Sequence, residues 1–198
     1  MEKICVFCGS SMGKGDIYKK EALNLAEVFY KNNITLIFGG SDIGLMKIMA
    51  DRLMELGGEV IGVMPHYLAD KEIYHKGITK LHIVDSMAER KTLMAKLSDG
   101  FIALPGGLGT MDELMEMMTL NQLRIQDKPV SILNTNGFFK SIIDFFNHAV
   151  QEGFIREEHN NNFIISDNLE EVINQMKSFK PIETKKWLAD IKRESSNN

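Results

Sequence analysis

The chain has 198 residues, of which 44% are hydrophobic and 25% are charged, and its formal net charge is −4. This length and composition are those of a globular protein with a sizeable core. The negative charge and the lack of a basic run argue against general binding to nucleic acids or membrane surfaces. No apolar run approaches the roughly 20 residues that a transmembrane helix needs.

The N-terminal residues enter a strand at once and show no signal-peptide pattern, so we expect a cytoplasmic protein. Cys5 and Cys8 form a C-x-x-C pattern in or at the end of this strand, not at a helix start. We therefore interpret them as small buried hydrophobes and not as a redox pair. His66 and His75 share a loop but lie nine residues apart, which indicates no metal site.

Apolar runs of strand length alternate with apolar patterns of helical period along the chain. Strands are predicted at residues 3–7, 34–38, 59–64, 81–84, 100–104, 128–133 and 162–165. Helices are predicted at residues 16–31, 43–56, 110–123 and 138–151, with two more that begin at Ser86 and at a cap on Asp167. This alternation predicts an α/β fold with a mostly parallel sheet of about seven strands and helices on both faces.

We predict one α/β domain over residues 1–180 and a polar tail over residues 181–198. Inside the domain, residues 65–80 form a long polar connection, and such connections are often functional. A short helix in the tail is predicted from three apolar residues, Trp187, Leu188 and Ile191.

The most informative stretch is residues 104–113, with the sequence L-P-G-G-L-G-T-M-D-E. Its glycines allow backbone N–H groups to approach a ligand, and the helix that follows adds unpaired N–H groups and a positive dipole end. Such a loop is typical of an anion site, usually for phosphate. It is not a P-loop, because no G-K-S/T follows, and it lacks the third glycine of the dinucleotide fingerprint.

Two alternatives for this stretch involve no ligand. Thr110 and Glu113 have the T-x-x-E spacing of a capping box. The Pro-Gly-Gly sequence could also be only a tight connection between a strand and a helix.

A second capping box, Ser86 and Glu89, places Arg90 and Lys91 in the first two turns of a helix. Two cations near the positive end of a helix dipole are mildly unfavourable. Either they are solvated surface charges, or an anion sits between Arg90 and the glycine loop.

Ligands of parallel α/β sheets bind outside the carboxyl ends of the strands. Small-residue turns follow the first, second and fifth predicted strands, and the helix with Arg90 follows the fourth. We predict that Ser10, residues 39–41, Arg90 and residues 106–110 converge on one crevice. Glu113, one helical turn further on, would reach the group attached to the phosphate.

The predicted helix 110–123 is apolar on more than one face. Its apolar residues are Met111, Leu114, Met115, Met117, Met118, Leu120 and Leu123. A helix with so wide an apolar surface does not lie against water. Burial within one chain is one explanation, and a symmetric dimer with these helices across its axis is the one that we favour.

The paired motifs M-A-E-R-K at residues 87–91 and P-G-G-L-G-T-M-D-E at residues 105–113 closely resemble those of the Lonely-guy (LOG) family. The resemblance runs over residues 4–165 and includes the C-G-S-S turn and E-V-I-G-V-M-P at residues 59–65. Members are cytokinin riboside 5′-monophosphate phosphoribohydrolases, often mislabelled as lysine decarboxylases. The resemblance implies a Rossmann-like, doubly wound homodimer that cleaves AMP or an N6-substituted AMP to free base and ribose 5-phosphate. We expect no cofactor and no metal, and whether dimers pair further stays open.

Matching positions imply that Arg90 and Glu113 are the catalytic pair. The predicted substrate and phosphate contacts are Ser10, Gly40, Glu72, Lys91, Gly106, Gly107, Leu108, Gly109, Thr110, Met111, Asp112 and Thr119. Departure of the base builds positive charge on the ribose, which a carboxylate stabilises. Glu113 could do that, orient the attacking water or hold ribose hydroxyls, and Arg90 could bind phosphate or position Glu113. The candidates for a second carboxylate are Glu72 and Asp112.

The chain departs from the usual family pattern at Ser41, Ala88 and Asn121, which leaves its base preference open. A different class of function is a non-catalytic nucleotide-binding or cofactor-carrier protein on the same fold. Such a protein has no need of an acid inside an anion site. A decarboxylase would need a Schiff-base lysine, but Lys47, Lys91 and Lys96 are better interpreted as helix-surface residues or phosphate contacts.

Overall fold

The structure is a computed structural model that describes residues 1–71 and 74–181. Within these residues seven strands form one sheet, in the order β4-β3-β2-β1-β5-β6-β7, and every pairing is parallel. The strands are β1 (Lys3–Phe7), β2 (Thr35–Phe38), β3 (Val60–Pro65), β4 (Lys80–Val84), β5 (Gly100–Ala103), β6 (Val130–Leu133) and β7 (Ile164–Ser166). The predicted Rossmann-like α/β fold is confirmed.

Helices cover both faces of the sheet. They are α1 (Ile17–Lys31), α2 (Gly44–Glu55), α3 (His66–Ala69), α4 (Met87–Leu97), α5 (Leu108–Gln122), α6 (Lys140–Gln151), α7 (Glu157–Asn160) and α8 (Leu169–Lys177). One apolar cluster lies under α1, α2 and α8, and a second lies under α4, α5 and α6. The central strands are buried on both faces, so they are apolar at successive positions.

The sheet reverses its strand order between β1 and β5. The chain runs from β1 outward to β4, returns to β5 beside β1, and then runs outward to β7. The loops after β1 and β5 are therefore neighbours, and the Gly9 N–H donates to the Pro105 carbonyl oxygen at 3.1 Å. The Leu45 N–H at the start of α2 donates to the Gly9 carbonyl oxygen, also at 3.1 Å. A crevice at such a reversal point is where ligands of this fold class bind.

The two cysteines follow the alternation of a strand. Cys5 packs in the cluster under α4, α5 and α6, whereas Cys8 packs in the cluster on the other face. Both thiols are free and buried, and burial raises the pKa of each. These are the properties expected of small buried hydrophobes, because a redox cysteine needs a lowered pKa and access.

Most predicted bounds of strands and helices differ from the observed ones by one or two residues. In three places the described part of the chain has an element that the sequence did not predict. The 3-10 turn Thr135–Gly137 delays the start of α6 to Lys140. The short helix α3 forms inside the connection predicted as residues 65–80, and α7 was not predicted. Each has four residues, too few to show a helical period in the sequence.

The predicted cap of the last helix was wrong by one residue. Asn168, not Asp167, is the N-cap of α8, and its Oδ1 accepts from the Glu171 N–H at 3.1 Å. Both residue types cap helices well, so the choice depends on where β7 leaves the sheet.

No helix of the described ranges is long and apolar enough to span a membrane. The cytoplasmic location and the division into residues 1–180 and 181–198 stay predictions. Trp187, Leu188 and Ile191 lie outside the described residues.

Replacing the two candidate cap residues separates them. Asn168→Ala removes the bond to the Glu171 N–H and should lower the free energy of unfolding by about 1 kcal/mol. Asp167→Ala serves as the matched control and should change it by less than about 0.5 kcal/mol. Urea unfolding followed by circular dichroism measures both, and equal losses would contradict the assignment of the cap.

Candidate functional site

Helix α5 begins at the glycine loop with Gly107 as its N-cap. The first intrahelical bond runs from the Met111 N–H to the Gly107 carbonyl oxygen at 3.1 Å. The N–H groups of residues 108–110 precede that bond, so they are available to a ligand. They point out of the helix end that carries the positive pole of its dipole, which is the arrangement that binds phosphate.

The capping-box alternative for this loop is wrong. Thr110 lies inside the first turn of α5, and no side chain caps the helix. The Glu113 carboxylate is bonded instead to Arg90. A Cβ atom on Gly106 would overlap the Thr110 side chain and the Gly9 nitrogen, so the loop is packed against both neighbours.

Arg90 and Glu113 form a buried ion pair below the glycine loop. The Arg90 Nη1 donates to Glu113 Oε1 at 2.9 Å, and its Nε donates to the Val63 carbonyl oxygen at 3.0 Å. Only 9% of Arg90 and 7% of Glu113 is exposed. A Cβ atom on Gly39 would overlap the guanidinium, so the turn after β2 must have glycine at this position.

The pKa of the Glu113 carboxyl is subject to opposing effects in this pair. Burial raises the pKa of Glu113 above that of an ordinary glutamate, and the Arg90 guanidinium opposes this rise. The adjacent Asp112 carboxylate adds to it. Arg90 thus favours the ionised form of a carboxylate at a place where burial favours the protonated form.

One cleft of about 180 Å³ contains this pair and the start of α5. Its lining residues are Cys8, Ser10, Met46, Arg90, Gly107, Leu108, Gly109, Thr110 and Glu113. They come from the loops after β1 and β5 and from α2, α4 and α5. The structure therefore brings Ser10, Arg90 and the glycine loop together, and Gly39 supports the cleft from beneath Arg90.

Several predicted contacts do not line this cleft. Lys91 Nζ pairs with Asp112 Oδ2 at 3.0 Å and with Glu116 Oε2 at 2.6 Å. Gly40 packs against Val63 and Leu81. Three others on α5 or its loop also lie off the cleft: Gly106, the half-buried Met111 and the exposed Thr119. Glu72 lies outside the described residues.

Sequence reasoning missed three contributors to the site. Met46 and Cys8 line the cleft, and the Val63 carbonyl oxygen holds Arg90. Met46 is the third residue of the helix that follows the glycine turn, so its position after a strand end was the available signal. Nothing in the sequence singles out a main-chain carbonyl.

Two further predictions concern Asn121 and the binding of a metal ion. Asn121 was expected to affect base preference, but it is buried on α5 and donates to the Lys128 carbonyl oxygen at 2.6 Å, away from the cleft. Within the described ranges no group of three or more His, Cys, Asp and Glu side chains could hold a metal ion.

A Schiff-base lysine needs a deprotonated amine, and two candidate lysines do not fit. The hydrogen bond that Lys47 donates to Asp42 raises the pKa of Lys47, and the one that Lys91 donates to Glu116 raises the pKa of Lys91. Both amines are thus held as ammonium groups, which does not suit the chemistry of a pyridoxal enzyme.

Comparison with known proteins places this chain in a family. A family model described as "Possible lysine decarboxylase" matches residues 46–176. The phosphoribohydrolase LOG5 of Arabidopsis thaliana is 40% identical over 181 residues, which are 91% of this chain and 79% of that protein. The phosphoribohydrolase LOG1 of the same plant is 41% identical over 180 residues, 91% of this chain and 84% of that protein.

A likeness to solved structures supports the fold alone. The molybdenum cofactor binding protein from Rippkaea orientalis superposes with a TM-score of 0.68 at 22% identity, over 89% of this chain and 96% of that one.

Fold and cleft together define a doubly wound α/β protein with a polar cleft at the start of a helix, where its strand order reverses. Within that class, the chain belongs to the LOG family, whose curated relatives here are named cytokinin riboside 5′-monophosphate phosphoribohydrolases. The family predicted from the sequence motifs is confirmed.

The electrostatics of the pair can be tested directly. In a carbon-13 NMR titration the Glu113 carboxyl should titrate at a higher pH than an ordinary glutamate, because burial raises its pKa by more than Arg90 lowers it. In Arg90→Met the midpoint should move further upward, since the group that lowers the pKa is gone. A midpoint at or below the ordinary value in the unmodified protein would contradict this account.

Proposed function

We propose that this chain hydrolyses the N-glycosidic bond of a nucleoside 5′-monophosphate, AMP or an N6-substituted AMP, to free base and ribose 5-phosphate. The observation that carries the proposal is the buried Arg90–Glu113 pair, which shares one cleft with the unpaired N–H groups of residues 108–110. Family membership supports it, because the relatives are named for this reaction.

The phosphate is held by the start of α5 in this proposal. The N–H groups of residues 108–110 bind its oxygens, and the Thr110 hydroxyl lies in the same cleft. Ser10 faces this position from the loop after β1. The phosphate thus anchors the nucleotide, and the binding energy of this remote group orients the bond that breaks.

Glu113 acts on the ribose. As the bond from C1′ to the base nitrogen breaks, its electron pair leaves with the base and positive charge develops on the sugar. The Glu113 carboxylate stabilises that charge or orients the water whose oxygen bonds to C1′, and both roles need its ionised form. Arg90 maintains that form and holds the carboxylate in place. The proton that the water loses balances the one that the departing base gains.

Glu113 separates this proposal from a nucleotide carrier on the same fold. A carboxylate repels a bound phosphate, and burying it costs free energy that a binding protein has no reason to spend. The cofactor-binding neighbour shares only 22% identity, so it supports the fold and not its function.

The first measurement is incubation of the pure protein with AMP and with N6-isopentenyl-AMP, followed by chromatography for free base. Release from both is expected, and the ratio of the rates gives the base preference. Glu113→Gln should reduce turnover at least about a hundredfold, because it removes the charge that stabilises the transition state. AMP should still bind, at least as tightly as to the unmodified protein, since shape is kept and the charge that repels the phosphate is gone.

A matched control is Glu27→Gln. Glu27 Oε1 pairs with Arg52 Nη2 at 2.8 Å outside the cleft, so this variant also removes one carboxylate from an arginine pair. Its turnover should equal that of the unmodified protein. Unchanged turnover in Glu113→Gln would remove Glu113 from the mechanism, and tight AMP binding without any base release would favour the carrier.

We also propose that the chain acts as a homodimer formed through the sheet face that carries α4, α5 and α6. Several apolar side chains stay exposed there, among them Ile125 at 69% and Phe154 at 86%. A groove of about 550 Å³ between α4 and α5 contains Ala95, Leu120 and Ile125. Surfaces of this kind are protein–protein interaction sites.

Thr119 supports the same assembly. It is exposed on α5 and does not line the cleft of its own chain. The resemblance to the family nevertheless implies that this position contacts substrate. A two-fold dimer meets both conditions if Thr119 reaches the cleft of the partner.

Sedimentation tests the dimer. The unmodified protein should have twice the mass of the 22.4 kDa chain, and Ile125→Asp should shift it to the monomer, because a charge in an apolar contact is costly. Ile17→Asp, at an exposed apolar position that begins α1, is the control and should leave the mass unchanged. A monomeric unmodified protein would contradict the proposal.

A further inference from the structure

Four polar side chains form a cluster beside the cleft: His75, Asp51, Asp42 and Lys47. His75 is only 8% exposed, and its Nε2 lies 2.8 Å from Asp51 Oδ1 and 3.8 Å from Asp42 Oδ1. Lys47 Nζ lies 2.5 Å from Asp42 Oδ1 and 3.5 Å from Asp51 Oδ2. None of the four lines the cleft, so the cluster is separate from the site described above.

The imidazole of His75 has a partner at each ring nitrogen. The Gly77 N–H donates to Nδ1 at 3.1 Å, so the ring hydrogen belongs on Nε2, which donates to Asp51. A buried ring bonded at both nitrogens is fixed in place, because a shift would leave a buried polar atom without its partner.

His75 also connects two loops through the backbone. Its N–H donates to the Gly40 carbonyl oxygen at 2.9 Å, and the neighbouring Tyr74 forms an antiparallel bridge with Ser41. The main chain of the segment after α3 is thereby bonded to the turn after β2, while the His75 side chain bonds the same segment to Asp51 on α2.

That turn is the surface against which Arg90 lies. Gly39 leaves no room for a Cβ atom because the Arg90 guanidinium occupies the space. On its other sides the guanidinium is bonded to Glu113 and to the Val63 carbonyl oxygen. A displacement of the turn would therefore change the space in which the guanidinium sits.

We propose that His75 is a positioning residue for the Arg90–Glu113 pair. Its side chain anchors the segment after α3 to Asp51 on α2, and the N–H of that segment then holds the Gly40 carbonyl, so the turn after β2 stays where it confines the guanidinium. His75 acts through these groups and does not touch the substrate. The inference rests on the proposed function only for the claim that the pair is catalytic, and the geometry of Arg90 can be tested apart from turnover.

If His75 only stabilised the fold, its loss would lower the melting temperature without changing the position of Arg90. A variant that removes a buried hydrogen bond elsewhere shows what such a loss does. Thr35 is also buried and its Oγ1 donates to Glu59 Oε2 at 2.8 Å. It begins β2 at the end of the strand remote from the turn. Thr35→Val thus removes a buried hydrogen bond from the same strand without disturbing the turn.

The experiment compares His75→Ala, His75→Gln and Thr35→Val with the unmodified protein. It measures the melting temperature, kcat and KM for base release from AMP, and the rate at which phenylglyoxal modifies Arg90, read by peptide mass spectrometry. In His75→Ala, kcat should fall about tenfold to a hundredfold, because the catalytic pair is misplaced. KM should change by less than about threefold, and Arg90 should be modified several times faster.

The other variants refine the comparison. Thr35→Val should lower the melting temperature to a similar extent while kcat and the Arg90 modification rate stay unchanged. His75→Gln, whose amide can donate to Asp51, should recover most of kcat. If His75→Ala does not fold, Asp51→Ala, which removes the acceptor of the Nε2 hydrogen, replaces it, with the same expected direction in every measurement.

Failure of the two proposals is distinguishable. If the unmodified protein releases no base from AMP, the proposed function fails, and the Arg90 modification rate alone decides the role of His75. If phenylglyoxal modifies Arg90 at the same rate in His75→Ala as in the unmodified protein, the positioning role is overturned. A kcat that falls no further in His75→Ala than in Thr35→Val overturns it as well.

Discussion

The buried ion pair between Arg90 and Glu113 is the interaction on which the rest of the site depends. Its partners are almost wholly removed from water, and apolar side chains in place of such a pair are often neutral or stabilising. Stability therefore does not explain why this chain has it. What the pair supplies is a carboxyl group held by Arg90 at a fixed point in a small cleft, next to N–H groups that are already oriented.

Accommodating that pair imposes conditions on elements that are far apart in the sequence. The turn after β2 needs glycine at position 39, and β3 must present the Val63 carbonyl oxygen. Helix α5 carries both the free N–H groups of residues 108–110 and Glu113, so one rigid element sets the distance between them. Arg90 reaches across from α4 and offsets the negative charge of this carboxylate.

The parallel topology makes these demands compatible. Because every strand of the described sheet runs the same way, the loops after β1, β2 and β5 open at one edge. The reversal of strand order between β1 and β5 separates α2 from α5 and leaves the crevice between them. Around that crevice the polar contacts that do not face the ligand, such as those of His75 and Lys91, hold one loop or helix against another.

Much of the fold and part of the site could be predicted from the sequence. Periodicity located the long strands and helices, and β1 was predicted with its observed bounds. The glycine loop and Arg90 were found because turn chemistry and helix starts are local signals. The short helices α3 and α7 and the cap on Asn168 were missed, because four residues show no period and two adjacent good caps cannot be ranked locally.

By itself, the sequence determined the alternation of strands and helices, the glycine loop at the start of α5 and the family, because these depend on patterns within short stretches. Only the tertiary structure decided which charges meet. Arg90 pairs with Glu113, 23 residues away, whereas the adjacent Lys91 turns to Asp112 and Glu116. Thr119 stays outside its own cleft. These outcomes depend on how α4 and α5 pack across the sheet, and that packing is a property of the whole core and not of any one segment.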